Sequence, residues 1–188
     1  MKNNFFFPLA SSSWDQNEIK AIQKVIKSKN FTMGNFVKEA EFKFSKIHKK
    51  KYCVMVNSGS SANLLMVAAL FFKKDNPLKP GDEVIVPALG WSTTFFPLQQ
   101  YGLNVKFVDV DLDTLNCSIE NLRKIVSQKT RLIMAVNVLG NPSEFDSLKS
   151  ICKKNNCYLL EDNCESLYAD YKGNKTGTFG IMGSFSSY

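Results

Sequence analysis

The feature that most constrains this chain is a repeated switch of hydrophobic period. Short unbroken apolar runs, at 84–87, 132–136 and 158–160, alternate with segments of about ten residues whose apolar positions recur every three or four. A run without polar alternation suits a strand covered on both faces. Strands of that kind separated by helices point to an α/β domain with a mainly parallel sheet between helices. In such sheets ligands sit beyond the carboxyl ends of the strands.

The remaining segments fit that scheme. Residues 15–27 read as a helix with Ile19, Ile22, Val25 and Ile26 on one face, and 35–46 as a second helix. Residues 53–56 form a short β-rich run before Asn57-Ser58-Gly59-Ser60-Ser61, and 62–72 is a strong helix pattern. Pro80-Gly81-Asp82-Glu83 turns into the strand at 84–87. A helix at 93–101 closes at Gly102, and 105–108 reads as a strand. Ser118 caps a helix that runs to Ser127, with Glu120 in its first turn. A helix over 143–155 follows, and 182–185 offers a last strand.

Composition removes several classes of function. At 188 residues, with 44% hydrophobic and 22% charged residues, the chain reads as a globular domain. Its longest apolar run, 64–72, is about half of what a membrane span needs, and no signal peptide is read at the start. The five cysteines include no CxxC pair and His48 is the sole histidine, so no metal site is expected. Reduced cysteines and a cytoplasmic location are expected. The net charge of +7 comes almost wholly from scattered lysines, with only Arg123 and Arg131 as arginines, which argues against nucleic-acid binding.

Four strand-end segments carry candidate chemistry. Gly59 and Ser60 sit between a strand-like run and a helix, where free N–H groups and a close backbone approach would cradle a phosphate; a plain serine cap with a glycine turn is the alternative. Neither GxxxxGK[ST] nor GxGxxG is present. Asp162 follows a buried strand, where a carboxylate needs a cationic partner such as a protonated pyridine nitrogen, or else caps the next turn. Trp91 follows another strand and could stack on a flat ring or belong to the core. The segment from Gly177-Thr178-Phe179-Gly180 to Ser186 offers small and hydroxyl residues for a further phosphate contact.

Taken in order, these segments resemble the DegT/DnrJ/EryC1/StrS family of pyridoxal-phosphate-dependent sugar aminotransferases. The resemblance is carried by Pro8-Leu9-Ala10-Ser11-Ser12, Phe31-Thr32-Met33-Gly34, the stretch Val54 to Met66, Trp91-Ser92-Thr93-Thr94, and Pro97 to Leu103. It continues through Leu139-Gly140-Asn141-Pro142, Glu161 to Ser166, and Gly177 to Ser187. It implies an aspartate-aminotransferase-like large domain (fold type I) over 51–188, with 1–50 as a helical segment packed on it and without the small C-terminal domain. Gly59, Ser60 and Ser186 would hold the cofactor phosphate, Trp91 would stack on the ring, and Asp162 would pair with the ring nitrogen. Glu165 would lie on the phenolic or aldehyde side as a supporting catalytic group, and Asn137 and Asn141 carry no assigned role.

Aminotransferases of the family usually have Gln or His where Glu165 stands, so the resemblance leans to the branch of sugar-nucleotide 3-dehydratases in lipopolysaccharide O-antigen biosynthesis. The implied partners are a nucleotide-linked keto-sugar, glutamate as amino donor, and a second copy in a homodimer. The implied cofactor is pyridoxal 5'-phosphate, in its pyridoxamine form for a dehydratase. A sugar aminotransferase and a non-catalytic relative are the alternatives. The family's deciding residue, lysine for transfer and histidine for dehydration, aligns beyond Tyr188, so the 188 residues alone are expected to turn over little substrate.

Overall fold

Consecutive residues of the central strands bury into different cores. Val84, Val86, Leu132, Met134 and Leu160 join one apolar cluster, while Ile85, Ile133, Ala135 and Leu159 join another. Side chains alternate across a sheet, so an unbroken apolar run is what two covered faces require.

The computed structural model describes residues 12–187; Pro8-Leu9-Ala10-Ser11 and Tyr188 lie outside the described residues. The elements are α1 (Gln16–Ser28), α2 (Asn35–Ile47), α3 (Gly59–Phe71), β1 (Glu83–Pro87), α4 (Ser92–Gln100), β2 (Asn104–Val108), α5 (Ile119–Ile125) and β3 (Thr130–Val136). A 3-10 turn (Val138–Gly140), α6 (Phe145–Asn155), β4 (Tyr158–Asp162), β5 (Asp170–Tyr171), β6 (Asn174–Lys175) and β7 (Met182–Ser184) follow. Five strands form one sheet in the order β2-β1-β3-β4-β7, with every pair parallel. Residues of α3 and α4 pack in the first cluster, and those of α5 and α6 in the second.

Three local outcomes differ from expectation. Residues 53–56 form no strand: Val54 and Met55 are exposed, and the Met55 N–H donates to Glu41 Oε1 at 2.8 Å. A β-branched run becomes a strand only when a neighbour completes its ladder, and no described strand lies beside it. Helix α3 starts at Gly59 rather than near residue 62, because the Ser58 side chain accepts the Ser61 N–H and caps it there. The β5–β6 hairpin was not anticipated; Lys172 and Gly173 both take positive φ (52° and 79°), and only the glycine signals such a turn.

At the sheet edge, β2 exposes Lys106 and Phe107, the lysine discouraging further strand pairing. Helix α1 carries a capping box between Asp15 and Glu18, yet Ile19, Ile22 and Ile26 stay exposed and none of its residues is buried. Phe44 of α2 and His48 just past its end pack their rings on Phe185, the residue after β7. Among the described residues no helix is long and apolar enough to cross a membrane.

Candidate active site

All five strands end on one side. The chain leaves β1 for β2 on one flank and returns for β3 on the other, which opens a crevice at the carboxyl ends. The loops after β1, β3, β4 and β7 and the first turn of α3 converge there.

Asp162 is the last residue of β4 and is 4% exposed. Its Oδ2 accepts two hydrogen bonds of 2.7 Å, from Asn63 Nδ2 of α3 and Thr94 Oγ1 of α4. Its Oδ1 accepts the Cys164 N–H at 3.1 Å. Three donors suit an acceptor-only carboxylate. Among the described residues no lysine, arginine or histidine makes a salt bridge with it. The donors are held in turn: Asn63 Oδ1 accepts the Ser184 hydroxyl at 2.6 Å, and Asn63 Nδ2 also reaches the Thr93 carbonyl at 3.3 Å.

Glu161 precedes Asp162 and points to the other face. It is wholly buried; its Oε1 accepts the N–H groups of Phe179 (2.7 Å) and Gly180 (2.6 Å), and its Oε2 that of Gly177 (2.7 Å). Burial pushes its carboxyl above the ordinary value, against the pull of the Gly180, Gly177 and Phe179 amides. The glycine-rich segment expected to add phosphate contacts therefore turns three of its amides inward onto Glu161. It fixes the approach to β7 and so the position of Ser186.

Gly59 opens α3 against the loops after β4 and β7. A Cβ at this position would lie 2.5 Å from Cys164 Sγ and 3.0 Å from Ser186 Cβ, so only glycine lets the three segments close. The Ser61 N–H goes to Ser58 Oγ and the Ala62 N–H to the Ser58 carbonyl. Burial, and then the charge of Asp162, push the Cys164 thiol up to about 12, so it packs as a neutral group.

The structure thus joins Gly59, Ser186 and Asp162 through Cys164, Asn63 and Ser184, with Ser60 beside Gly59 in the same helical turn. Trp91 is the residue before α4, 69% exposed, with its carbonyl accepting the N–H of Thr94, the same threonine that holds Asp162. Glu165 follows in the β4 loop, and its Oε2 accepts the Leu139 N–H at 2.8 Å from a turn in which Leu139 takes φ 51°. Asn137 and Asn141 serve that turn: Asn137 links Asn163 and the Ser143 N–H, and Asn141 Nδ2 reaches the Thr114 carbonyl.

Asn63, Thr94, Ser184 and Glu161 were not singled out from sequence. Each lies in a segment that had been noticed, but their partners are 16 or more positions away, and only the fold shows them. The whole arrangement suits a ligand with an anionic group for the α3 terminus, a flat ring beside Trp91 and a protonated nitrogen for Asp162.

The sequence pattern of the DegT/DnrJ/EryC1/StrS aminotransferase family matches residues 12–188. GDP-4-keto-6-deoxy-D-mannose 3-dehydratase of Escherichia coli O55:H7 is 58% identical over 182 residues, covering 97% of this chain and 47% of that protein. A solved structure of the Escherichia coli enzyme with bound hydrated PLP superposes with a TM-score of 0.94 at 57% identity, over 97% of this chain and 47% of that one. A solved structure of a GDP-4-keto-6-deoxymannose-3-dehydratase with a trapped PLP-glutamate geminal diamine gives the same TM-score of 0.94, identity of 57% and coverage of 97% and 47%. The chain spans about half the length of these relatives.

Proposed function

The chain belongs to the DegT/DnrJ/EryC1/StrS aminotransferase family, and on that premise we propose that it forms the cofactor-holding half of a pyridoxal-phosphate-dependent GDP-4-keto-6-deoxymannose 3-dehydratase. The sheet is that of the aspartate-aminotransferase-like fold type I. The observation that carries the reading is Asp162: a buried carboxylate held by Asn63, Thr94 and Cys164, without a salt bridge among the described residues, at a strand end, beside a helix terminus whose first glycine admits no side chain. Such a carboxylate, unlike Glu161, stands at the crevice where a cationic partner can reach it, and a protonated pyridine nitrogen is one.

When bound, pyridoxal phosphate supplies an electron sink for breaking bonds next to a carbon–nitrogen link. The residues here hold and orient it. The Gly59 and Ser60 amides at the α3 terminus, with Ser186, take its phosphate. Trp91 covers the ring, Asp162 keeps the ring nitrogen protonated, and Glu165, fixed by the Leu139 amide, stands on the phenolic or aldehyde side. Residues 12–50 serve as a helical segment of the same unit. Glutamate is the amino donor that prepares the pyridoxamine form, and a GDP-linked 4-keto sugar losing its C3 hydroxyl is the substrate. The high identity to the Escherichia coli 3-dehydratase supports this branch over sugar amino transfer. The reading includes a cytoplasmic homodimer, for which exposed Leu89, Trp91, Phe96 and Phe107 offer apolar surface.

Fluorescence titration with pyridoxal phosphate tests the reading on the protein with Trp14→Phe, which leaves Trp91 as its reporter. Saturable quenching is expected, with affinity at least about tenfold weaker in Asp162→Asn, since a charged hydrogen bond is lost. Equal affinity in both proteins would overturn the role of Asp162. Borohydride treatment of the loaded protein is expected to leave no cofactor on lysine; a stable adduct at one defined lysine would overturn the alignment of the Schiff-base position beyond Tyr188.

A further inference from the structure

Pro97 lies inside α4, where a proline normally weakens a helix. It has no N–H, so the carbonyl four residues earlier, on Thr93, receives no helical bond from it. The side chain that reaches this carbonyl comes from another helix: Asn63 Nδ2, at 3.3 Å. The same nitrogen donates to Asp162 Oδ2 at 2.7 Å. An amide nitrogen has two protons and both are used. Asn63 Oδ1 is fixed as well, by the Ser184 hydroxyl at 2.6 Å, so the amide cannot flip without losing all three bonds. Asn63 is 0% exposed, and water does not compete for these bonds.

The consequence falls on Asp162. Asn63 and Thr94 both donate to Oδ2, while Oδ1 accepts the Cys164 N–H. Oδ2 is thus committed to side chains of two helices, whereas Oδ1 is held by Cys164, the residue two positions on, through its N–H, and the Cys164 thiol bonds the same carboxylate. We infer that Asn63, locked by the carbonyl that Pro97 leaves unpaired, is a positioning residue that turns Asp162 so that Oδ1 meets the ring nitrogen of the cofactor. This rests on the proposed pyridoxal-phosphate site and adds to it which oxygen faces the ring and which residues decide it. It also explains a proline in a helix beside the site: there the missing hydrogen bond organises a neighbour.

The test reads cofactor affinity and the pH dependence of the bound cofactor's absorbance, and neither readout needs turnover. Asn63→Asp keeps the shape but sets two carboxylates face to face. One member of such a pair stays protonated to higher pH, and when protonated it can donate to Asp162 as asparagine does. Affinity in Asn63→Asp is expected to be about tenfold weaker than wild type near neutral pH and to recover as pH falls, a rescue that lost folding would not produce. Pro97→Ala restores an N–H for the Thr93 carbonyl and removes a helix breaker. It is expected to raise thermal stability while weakening cofactor binding, opposite signs that a purely structural role does not give.

If the wild-type protein binds pyridoxal phosphate but Asn63→Asp binds it equally at every pH, or Pro97→Ala gains both stability and affinity, the positioning role is wrong and the site stands. If the wild type binds no pyridoxal phosphate, both fall.

Discussion

Gly59→Ala is the sharpest perturbation of the site. A methyl group there lies 2.5 Å from Cys164 Sγ, 3.0 Å from Ser186 Cβ and 3.4 Å from Ser186 Oγ. Non-bonded heavy atoms settle at about 3.5–4.0 Å, so the thiol must yield by roughly 1 Å and the serine by about half that or more. The thiol can rotate away, whereas Ser186 Cβ moves only with its backbone. Overpacking of this kind costs about 1–3 kcal/mol. Its effect on the ligand is larger than on the fold, because moving Ser186 away from the α3 terminus separates the two groups assigned to one phosphate. One weakened hydrogen bond to a charged group is worth about 1.5–3 kcal/mol, or roughly ten- to hundredfold in affinity.

Urea denaturation and pyridoxal-phosphate titration of Gly59→Ala, Cys164→Ala and the double variant separate the contributions. The double variant removes the thiol contact and keeps the serine one. It is expected to recover part of the stability but little of the affinity. Unchanged stability and affinity in Gly59→Ala would refute the close approach. Full recovery of affinity in the double variant would refute the part given to Ser186.

Other outcomes follow from the same coordinates. Glu161→Gln sets an amide NH2 against the Gly177 N–H that the carboxylate now accepts, and should destabilise the fold by about 1–3 kcal/mol by chemical denaturation. Burial raises the Glu83 carboxyl, but hydrogen bonds from Lys106, Thr130 and Ser127, with the Lys106 charge, outweigh it and leave the group below its ordinary value of 4.5. A depressed folded value stabilises above that pH, so urea midpoints should fall as pH drops through and below 4.5, by less in Glu83→Gln. Among the thiols, a hydrogen bond from Cys152, aided by its own backbone and by Arg131, outweighs burial and holds Cys157 below the ordinary range. Burial pushes Cys117 up to about 12. Mass mapping after brief treatment with a thiol reagent should find Cys157 labelled before Cys117 and Cys164.

How much of this the sequence disclosed depends on how local each cause is. Strands β1, β3 and β4 were legible because burial on both faces forces unbroken apolar runs. Helix α5 was legible because Ser118 and Glu120 mark its start. Residues 53–56 misled because β-propensity is expressed only through a pairing partner, which no run of four residues can reveal. Gly59, Ser60, Trp91 and Asp162 were picked out as residue types beside expected strands, and Glu165 and Ser186 through the family resemblance. What held them was not found: the link from Asn63 to Asp162 spans 99 positions and that from Asn63 to Ser184 spans 121. A proline in a helical pattern reads as a defect until the carbonyl it leaves open is seen to have a taker.

The two acids that close β4 divide the molecule between them. Leu159 and Glu161 face α6 and the segment that leads into β7, whereas Leu160 and Asp162 face α3 and α4. Adjacent carboxylates on opposite sides of a pleat act as a parity check on the reading of the strand. Deleting or inserting one residue in β4 would exchange their places, sending the ligand's acid into that segment and the segment's acid into the crevice. Two such changes, one on each side of an element, would restore it. Homologous chains are therefore expected to vary freely in the length of the loops that flank β4, and never by an odd number of residues within it.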